Sequence, residues 1–316
     1  MNQNVRRSSL QYGRGQLELS DDELSGAAGP DFEGELLRIF SAPGYQPPAL
    51  PAVALKVMEL SRRPSVEFEE VSALLEQDPM LVAKVMARIQ SAFYASQTPI
   101  RTLKQALVRL GIGGLRDLVM EVALNLRVFR APAFAEPMNR LRRHSLVTAH
   151  CARIVCRYAS VDAEYAFLCG LLHDVGIAAT LVALGDGQVK SLPDQRTVAG
   201  RAVLWKAIEE SHQKVSGLVA GLWKLPDEIK LVLANHHQLT IDGFPHPMIA
   251  ALLVAHGHAT SLGAALGGVE GIPPSLDLVE PLQLARAQAA LRLGPAQVQC
   301  IERDVKALAA AIEKGL

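Results

Sequence analysis

From Phe32 onward apolar residues return every three or four positions, and no run alternates apolar with polar residues over the length of a strand. The pattern predicts an all-α fold. Several helix starts are explicit. Asp78-Pro79 is an N-cap with proline at the first helical position, where its missing N–H is no loss. Leu81, Val82, Val85, Met86 and Ile89 follow at helical spacing. Thr102 to Gln105 reads as a capping box that opens a helix carrying Leu103, Ala106, Leu107 and Leu110, with a stop at Gly111. Leu115, Leu118, Val119, Val122 and Leu126 mark the next helix, before Pro132 and Pro137 break the chain. The polar, aperiodic residues 1–30 read as a flexible tail. The proline break then divides the rest into an N-terminal helical lobe over 31–135 and a helical bundle over 136–316.

Within the bundle, the first helix carries His144. Another is expected from Asp162 to a stop at Gly176, with His173 and Asp174 at its C-terminal end. Pro226-Asp227 opens a helix with Ile229, Val232, Leu233 and His236 on one face. Pro247 opens the next, with Ala251, Ala255 and His258 on one stripe. Pro295 opens a last helix whose Ile301, Val305 and Leu308 face inward.

Composition narrows the function classes. With 316 residues the chain buries roughly 75% of its unfolded surface and needs no disulfide to fold. Hydrophobic residues make up 49% and charged residues 20%, which excludes disorder. Lys+Arg and Asp+Glu both number 32, so no net charge recommends a nucleic-acid partner or an acidic membrane. Cys151, Cys156, Cys169 and Cys300 form no C-x-x-C pair and read as reduced thiols. No apolar run near the start suits a secretory signal, and the stretch 249–269 is interrupted by His256, His258 and glycines. The expectation is a cytoplasmic protein without membrane insertion.

The nine histidines carry the candidate chemistry. The order His144, His173-Asp174, His212, His236-His237, His258 suggests ligands from several helices meeting at one metal. Neighbours on a helix point ~100° apart, so His173 and Asp174 can converge only near a helix end or across a cleft. His236 and His258 share stripes with apolar residues and should point inward. The candidate ligands are His144, His173, Asp174, His212, His236 and His258. Mixed imidazole and carboxylate donors suit a divalent Fe, Mn, Zn or Ni ion. A single inward histidine is more often a hydrogen-bonded core residue, so the ordered set rather than any member carries the expectation. Arg140, Arg142 and Arg143 read first as a solvated face and second as contacts for a phosphate or carboxylate.

LLHDVG, Leu171 to Gly176, resembles the helix of HD-superfamily metal-dependent phosphohydrolases. PALPAVALKVMEL from Pro48, LLEQDPMLVAKVMARIQSAFYASQTPIRTLKQALVRLGIGGLRDLVM from Leu74, RRHSLVTAHCARIV from Arg142 and SHQKVSGLVAGLWKLPDEIKLVLANHHQ from Ser211 resemble the HDOD domain, in its order, over about 33–260. The resemblance implies an N-terminal helical lobe packed against an HD-like bundle. It also implies a bacterial signal-transduction protein, a regulatory or scaffolding module with a signalling protein partner. Such modules are sometimes tied to cyclic-di-GMP signalling, and a nucleotide ligand is compatible with them. Three departures from catalytic relatives point to a degenerate site with no catalytic residues. His258 falls where a distal aspartate completes the metal site, and Ile177 stands where the cyclic-di-GMP phosphodiesterases carry a lysine; their G-Y-P signature has only an echo in GFPHP from Gly243. The alternative is a metal-dependent phosphohydrolase acting on a nucleotide or cyclic dinucleotide. The same resemblance places Phe93 in a buried turn, with the Tyr94 hydroxyl near a polar partner.

Overall fold

The computed structural model describes residues 31–91, 100–189, 193, 197–268 and 272–312. The expected tail over 1–30 and the turn with Phe93 and Tyr94 lie outside them. The capping chemistry forms as the pattern requires. Asp78 accepts a hydrogen bond from the Leu81 N–H at 3.0 Å and opens α4 (Pro79–Ile89), which follows α1 (Phe32–Ser41), α2 (Ala52–Leu60) and α3 (Phe68–Leu75). Thr102 Oγ1 accepts from the Gln105 N–H at 3.2 Å and opens α5 (Leu103–Arg127). As the pattern reads, a first helical segment ends at Gly111, and α5 is two segments that meet there. With φ +68° the glycine kinks the helix, and the chain resumes helical form beyond it.

After a short 3-10 turn at Pro132–Phe134 come α6 (Ala135–Tyr158), α7 (Ala166–Leu172) and α8 (Val175–Gly185). The single helix expected from Asp162 to Gly176 is therefore two helices. His173 and Asp174 sit in the break between them, and Gly176 lies in the first turn of the second. Asp174 has φ −100° and ψ 19°, outside helical geometry. Ser216 holds the break: its hydroxyl donates to the His173 carbonyl at 2.7 Å and accepts from the Gly176 N–H at 2.9 Å.

The chain continues with α9 (Val198–Leu222) and α10 (Asp227–Ala234), then a hairpin, then α11 (Pro247–Ser261), α12 (Pro281–Ala290) and α13 (Pro295–Ile312). The hairpin pairs Thr240 with Pro245 and Ile241 with Phe244. Asp242 and Gly243 turn it with φ +49° and +84°, as two-residue hairpin turns require. Two residues per strand is too short for alternation to register in the sequence.

The described residues from Phe32 onward form one compact unit. Its first helix, α1, packs against α9. Glu33 meets Lys214 at 3.0 Å, and the Trp223 indole N–H donates to the Pro48 carbonyl at 3.1 Å. The helices α2, α3 and α4 pack on α5, which in turn touches α7. There the buried Arg116 is held by its neighbour Asp117 at 2.8 Å and donates to the Glu164 carbonyl at 2.6 Å. The run Ala166–Gly185 has a mean hydropathy of 1.9, enough for a membrane span by length and composition, but 94% of it is buried inside the fold. Cys151, Cys156 and Cys169 are buried and unpaired, and burial pushes each thiol up to about 12, so they pack as small apolar groups.

Two glycines set the helix spacing. A Cβ on Gly170 of α7 would stand 2.5 Å from the Ala149 Cα of α6, and one on Gly176 would stand 2.3 Å from the His212 carbonyl oxygen of α9. Neither neighbour is a movable side-chain end. Gly176→Ala is therefore expected to lower the unfolding free energy by about 1–3 kcal/mol or more in urea titrations. Gly221→Ala, also on α9 but facing open space, is expected to be neutral or stabilising by up to about 1 kcal/mol. Equal effects of the two would show that the close approach at Gly176 does not constrain the fold.

Candidate metal centre

Breaks in the backbone let adjacent residues converge. His173 and Asp174 occupy the α7–α8 break. His236 and His237 follow the end of α10, where Asn235 leaves helical geometry at φ −137°, ψ 20°. The α6 helix supplies His144, α9 supplies His212 and α11 supplies His256. His144, His173, Asp174, His212, His236 and His256 are each at most 3% exposed, and His237 is partly covered.

Four of these rings are aimed by the backbone. The Nδ1 atoms of His144, His173, His212 and His236 lie 2.9, 2.8, 2.7 and 2.8 Å from the carbonyl oxygens of Ala264, Gly170, Glu209 and Leu233. A carbonyl only accepts, so each Nδ1 carries the hydrogen and each Nε2 presents a lone pair. All four Nε2 atoms then face the Asp174 carboxylate. His173 and His144 lie 3.0 and 3.7 Å from Oδ2, and His236 and His212 lie 3.2 and 3.7 Å from Oδ1. The His144 and His173 Nε2 atoms are themselves 3.2 Å apart.

Lone pairs thus confront lone pairs in a dry space. Asp174 Oδ1 and His236 Nε2 are both buried and neither makes a hydrogen bond. A cation relieves this arrangement, whether a proton on a ring or a metal ion. Burial alone pushes the Asp174 carboxyl up, but the His173 charge and its hydrogen bond, aided by His236, hold it well below the usual carboxylate range. Burial pushes His236 down from the ordinary 6.5 to about 4, against the pull of Asp174. It pushes His237 well down too, reinforced by His236 and His212. At neutral pH the site thus offers an ionised carboxylate and, at His236 and His237, neutral imidazoles, the states that ligate metals. The donor set fits a divalent transition ion. Two subsets have all their ligand atoms within 4.8 Å of one another: Asp174, His212, His236 and His237, and His144, His173 and His256.

Five of the six residues singled out from the sequence, His144, His173, Asp174, His212 and His236, come together here. His258 does not join them. It is half-buried on α11, with burial lowering its pKa against the pull of Glu302 from α13. His256 takes the place expected for it, its ring 4.6 Å from that of His144. Since α11 is buried from Ile249 through His256, its apolar stripe does not mark an inner face. His237 was also missed, although the end of α10 makes the same convergence possible that the His173-Asp174 pair needs. Ile177 is fully buried.

The family model of the HDOD domain matches residues 48–239. An uncharacterized protein of Treponema pallidum (strain Nichols) is 23% identical over 196 residues, 61% of this chain and 38% of that relative, so the chain spans well under half of its length. A solved structure provisionally named a metal-dependent phosphohydrolase, from Shewanella amazonensis SB2B, superposes with a TM-score of 0.64 at 17% identity, over 88% of this chain and 97% of that one. An HDOD domain protein with unknown function from Geobacter sulfurreducens gives 0.63 at 22% identity, over 90% and 99%. At these identities the structural likeness speaks for the fold.

Because folding keeps His236 neutral, the unfolded chain binds more protons between about 4 and 6.5. The stability from this ring is complete above about 6.5 and is lost as the pH falls toward 4. Melting of chelator-treated protein followed by circular dichroism is expected to show that decline, and His236→Asn to flatten it. An unchanged slope would assign the decline to other groups, among them His150, which burial lowers to about 3 outside this cluster.

Proposed function

The chain belongs to the HDOD domain family, and from that premise we propose that it is a non-catalytic signal-transduction module whose histidine–aspartate core holds one divalent transition metal as a structural or sensory element. Acting in the cytoplasm, it regulates or scaffolds a protein partner. Asp174, His212, His236 and His237 would hold the ion, with Asp174 as the sole anion.

One observation carries this reading: a single carboxylate buried among imidazoles. One divalent ion beside Asp174 leaves a single net positive charge in the interior, whereas two would leave three, and uncompensated buried charge is costly. A bound metal lowers the pKa of a coordinated water, which is the chemistry a hydrolase needs. The residues here offer that chemistry little support. The core is largely buried, with His237 alone partly covered, whereas catalytic metal sites keep an open position. Among the described residues no second carboxylate joins the cluster, and Ile177 supplies no cation for a phosphoryl group.

A second reading has its own support. Asp174 faces His173 and His144 with Oδ2 and His236 and His212 with Oδ1, so one carboxylate spans two ligand groups, as a dinuclear phosphohydrolase acting on a nucleotide or cyclic dinucleotide would use it.

Metal analysis separates the two. Protein purified without chelator is expected to carry about one transition-metal ion per chain, reduced in Asp174→Ala, and to hydrolyse bis-p-nitrophenyl phosphate no faster than that variant. Two ions per chain, with turnover lost in Asp174→Ala, would replace this reading by the hydrolase.

A further inference from the structure

A second concave site lies between α4, α5 and α6, with a volume of about 570 Å³, the size of a small-molecule pocket. Lys84 and Arg88 reach it from α4, Glu121 from α5, and Arg142 and Arg143 from α6. The chain as a whole carries no net charge, so four cations around one hollow are a local concentration.

The one carboxylate is already engaged. Glu121, 2% exposed, takes Arg88 Nε at 2.5 Å, and Arg88 Nη1 lies 3.3 Å from the Ser91 hydroxyl. This fixes the direction of the Arg88 side chain. Lys84, Arg142 and Arg143 make neither a hydrogen bond nor an ion pair among the described residues. Their mutual repulsion is relieved by an anion in the hollow.

The register of α6 explains how this helix serves two sites. Asn139, Arg142, Arg143, Leu146 and Val147 recur at i, i+3, i+4, i+7 and i+8 and form the stripe that lines the cleft. His144 lies off that stripe and points into the histidine core. Arg140 also leaves it, held by Glu136 at 2.6 Å and the Ala265 carbonyl at 3.2 Å. The basic cluster of the sequence is thus sorted, with two of its three arginines turned to the cleft.

We propose that this cleft binds a phosphate-bearing small molecule of the nucleoside monophosphate class. Guanidinium forks match a phosphate bidentately. Val122, Leu126 and Val147 supply apolar wall for a base, and Asn125 and Asn139 line the same cleft with amide groups that can hydrogen-bond its edge. The volume of this open cleft suits one nucleotide. The site is distinct from the metal centre and does not depend on the reading given to it.

Calorimetric titration of the full chain with AMP, GMP and inorganic phosphate, in EDTA and at low salt, tests this. One mononucleotide is expected to bind at a single site, with inorganic phosphate competing more weakly. Arg142→Gln/Arg143→Gln, at exposed positions, is expected to weaken binding about tenfold or more, and Lys84→Gln several-fold. Asp174→Asn is expected to leave the affinity within about twofold; should that variant fail to fold, chelated and metal-loaded wild-type protein serve for the same comparison. Absence of binding by all three probes at millimolar concentration would overturn the proposal. So would binding that survives the double arginine variant, or that is lost with Asp174→Asn in folded protein, which would assign it to the histidine core. Tighter binding of a hexaglutamate peptide than of either mononucleotide would make the cleft a protein-docking surface instead.

Discussion

The arrangement around Asp174 is the constraint on which the rest of this structure depends. Four imidazoles give their Nδ1 hydrogens to backbone carbonyls and turn their Nε2 lone pairs toward one buried carboxylate. Such a group of acceptors is unstable in a dry interior unless a positive charge stands among them. The carbonyls that aim the rings belong to helix ends and turns, where they have no intrahelical partner, so helix breaks and ring orientation are two sides of one economy of hydrogen bonds.

The packing serves the same end. Gly170 and Gly176 let α7 approach α6 and α8 approach α9 more closely than any side chain permits. These contacts bring His144 and His212 to the break that carries His173 and Asp174. Ser216 clamps that break from α9, and Gln283 of α12 donates to the His237 carbonyl at 2.7 Å. The centre is thus assembled from segments far apart in the chain, each positioned by backbone contacts.

The charged surface is organised separately. The α6 helix presents His144 to the interior and Arg142 and Arg143 to the opposite cleft, so one helix borders both the buried centre and the basic hollow. Arg88 is tied to Glu121, while Arg142 and Arg143 are exposed on the wall of the cleft.

The all-helical fold was legible in the chain because helix periodicity and caps are local. Asp78 and Thr102 cap as read, and Pro79, Pro247 and Pro295 open helices as their fixed φ and missing N–H demand. The pairing of His173 with Asp174 and their company of His144, His212 and His236 were likewise readable from order and motif. Tertiary structure decided what local pattern does not encode. It exchanged His258 for His256, because a helix buried on nearly every side has no apolar stripe to betray its inner face. It brought in His237 where α10 ends, split the helix before Asp174, and docked α1 on α9 across a long sequence separation. Which faces meet, and which lone pairs end opposite one another, depends on contacts between distant segments, and no single stretch of sequence contains them.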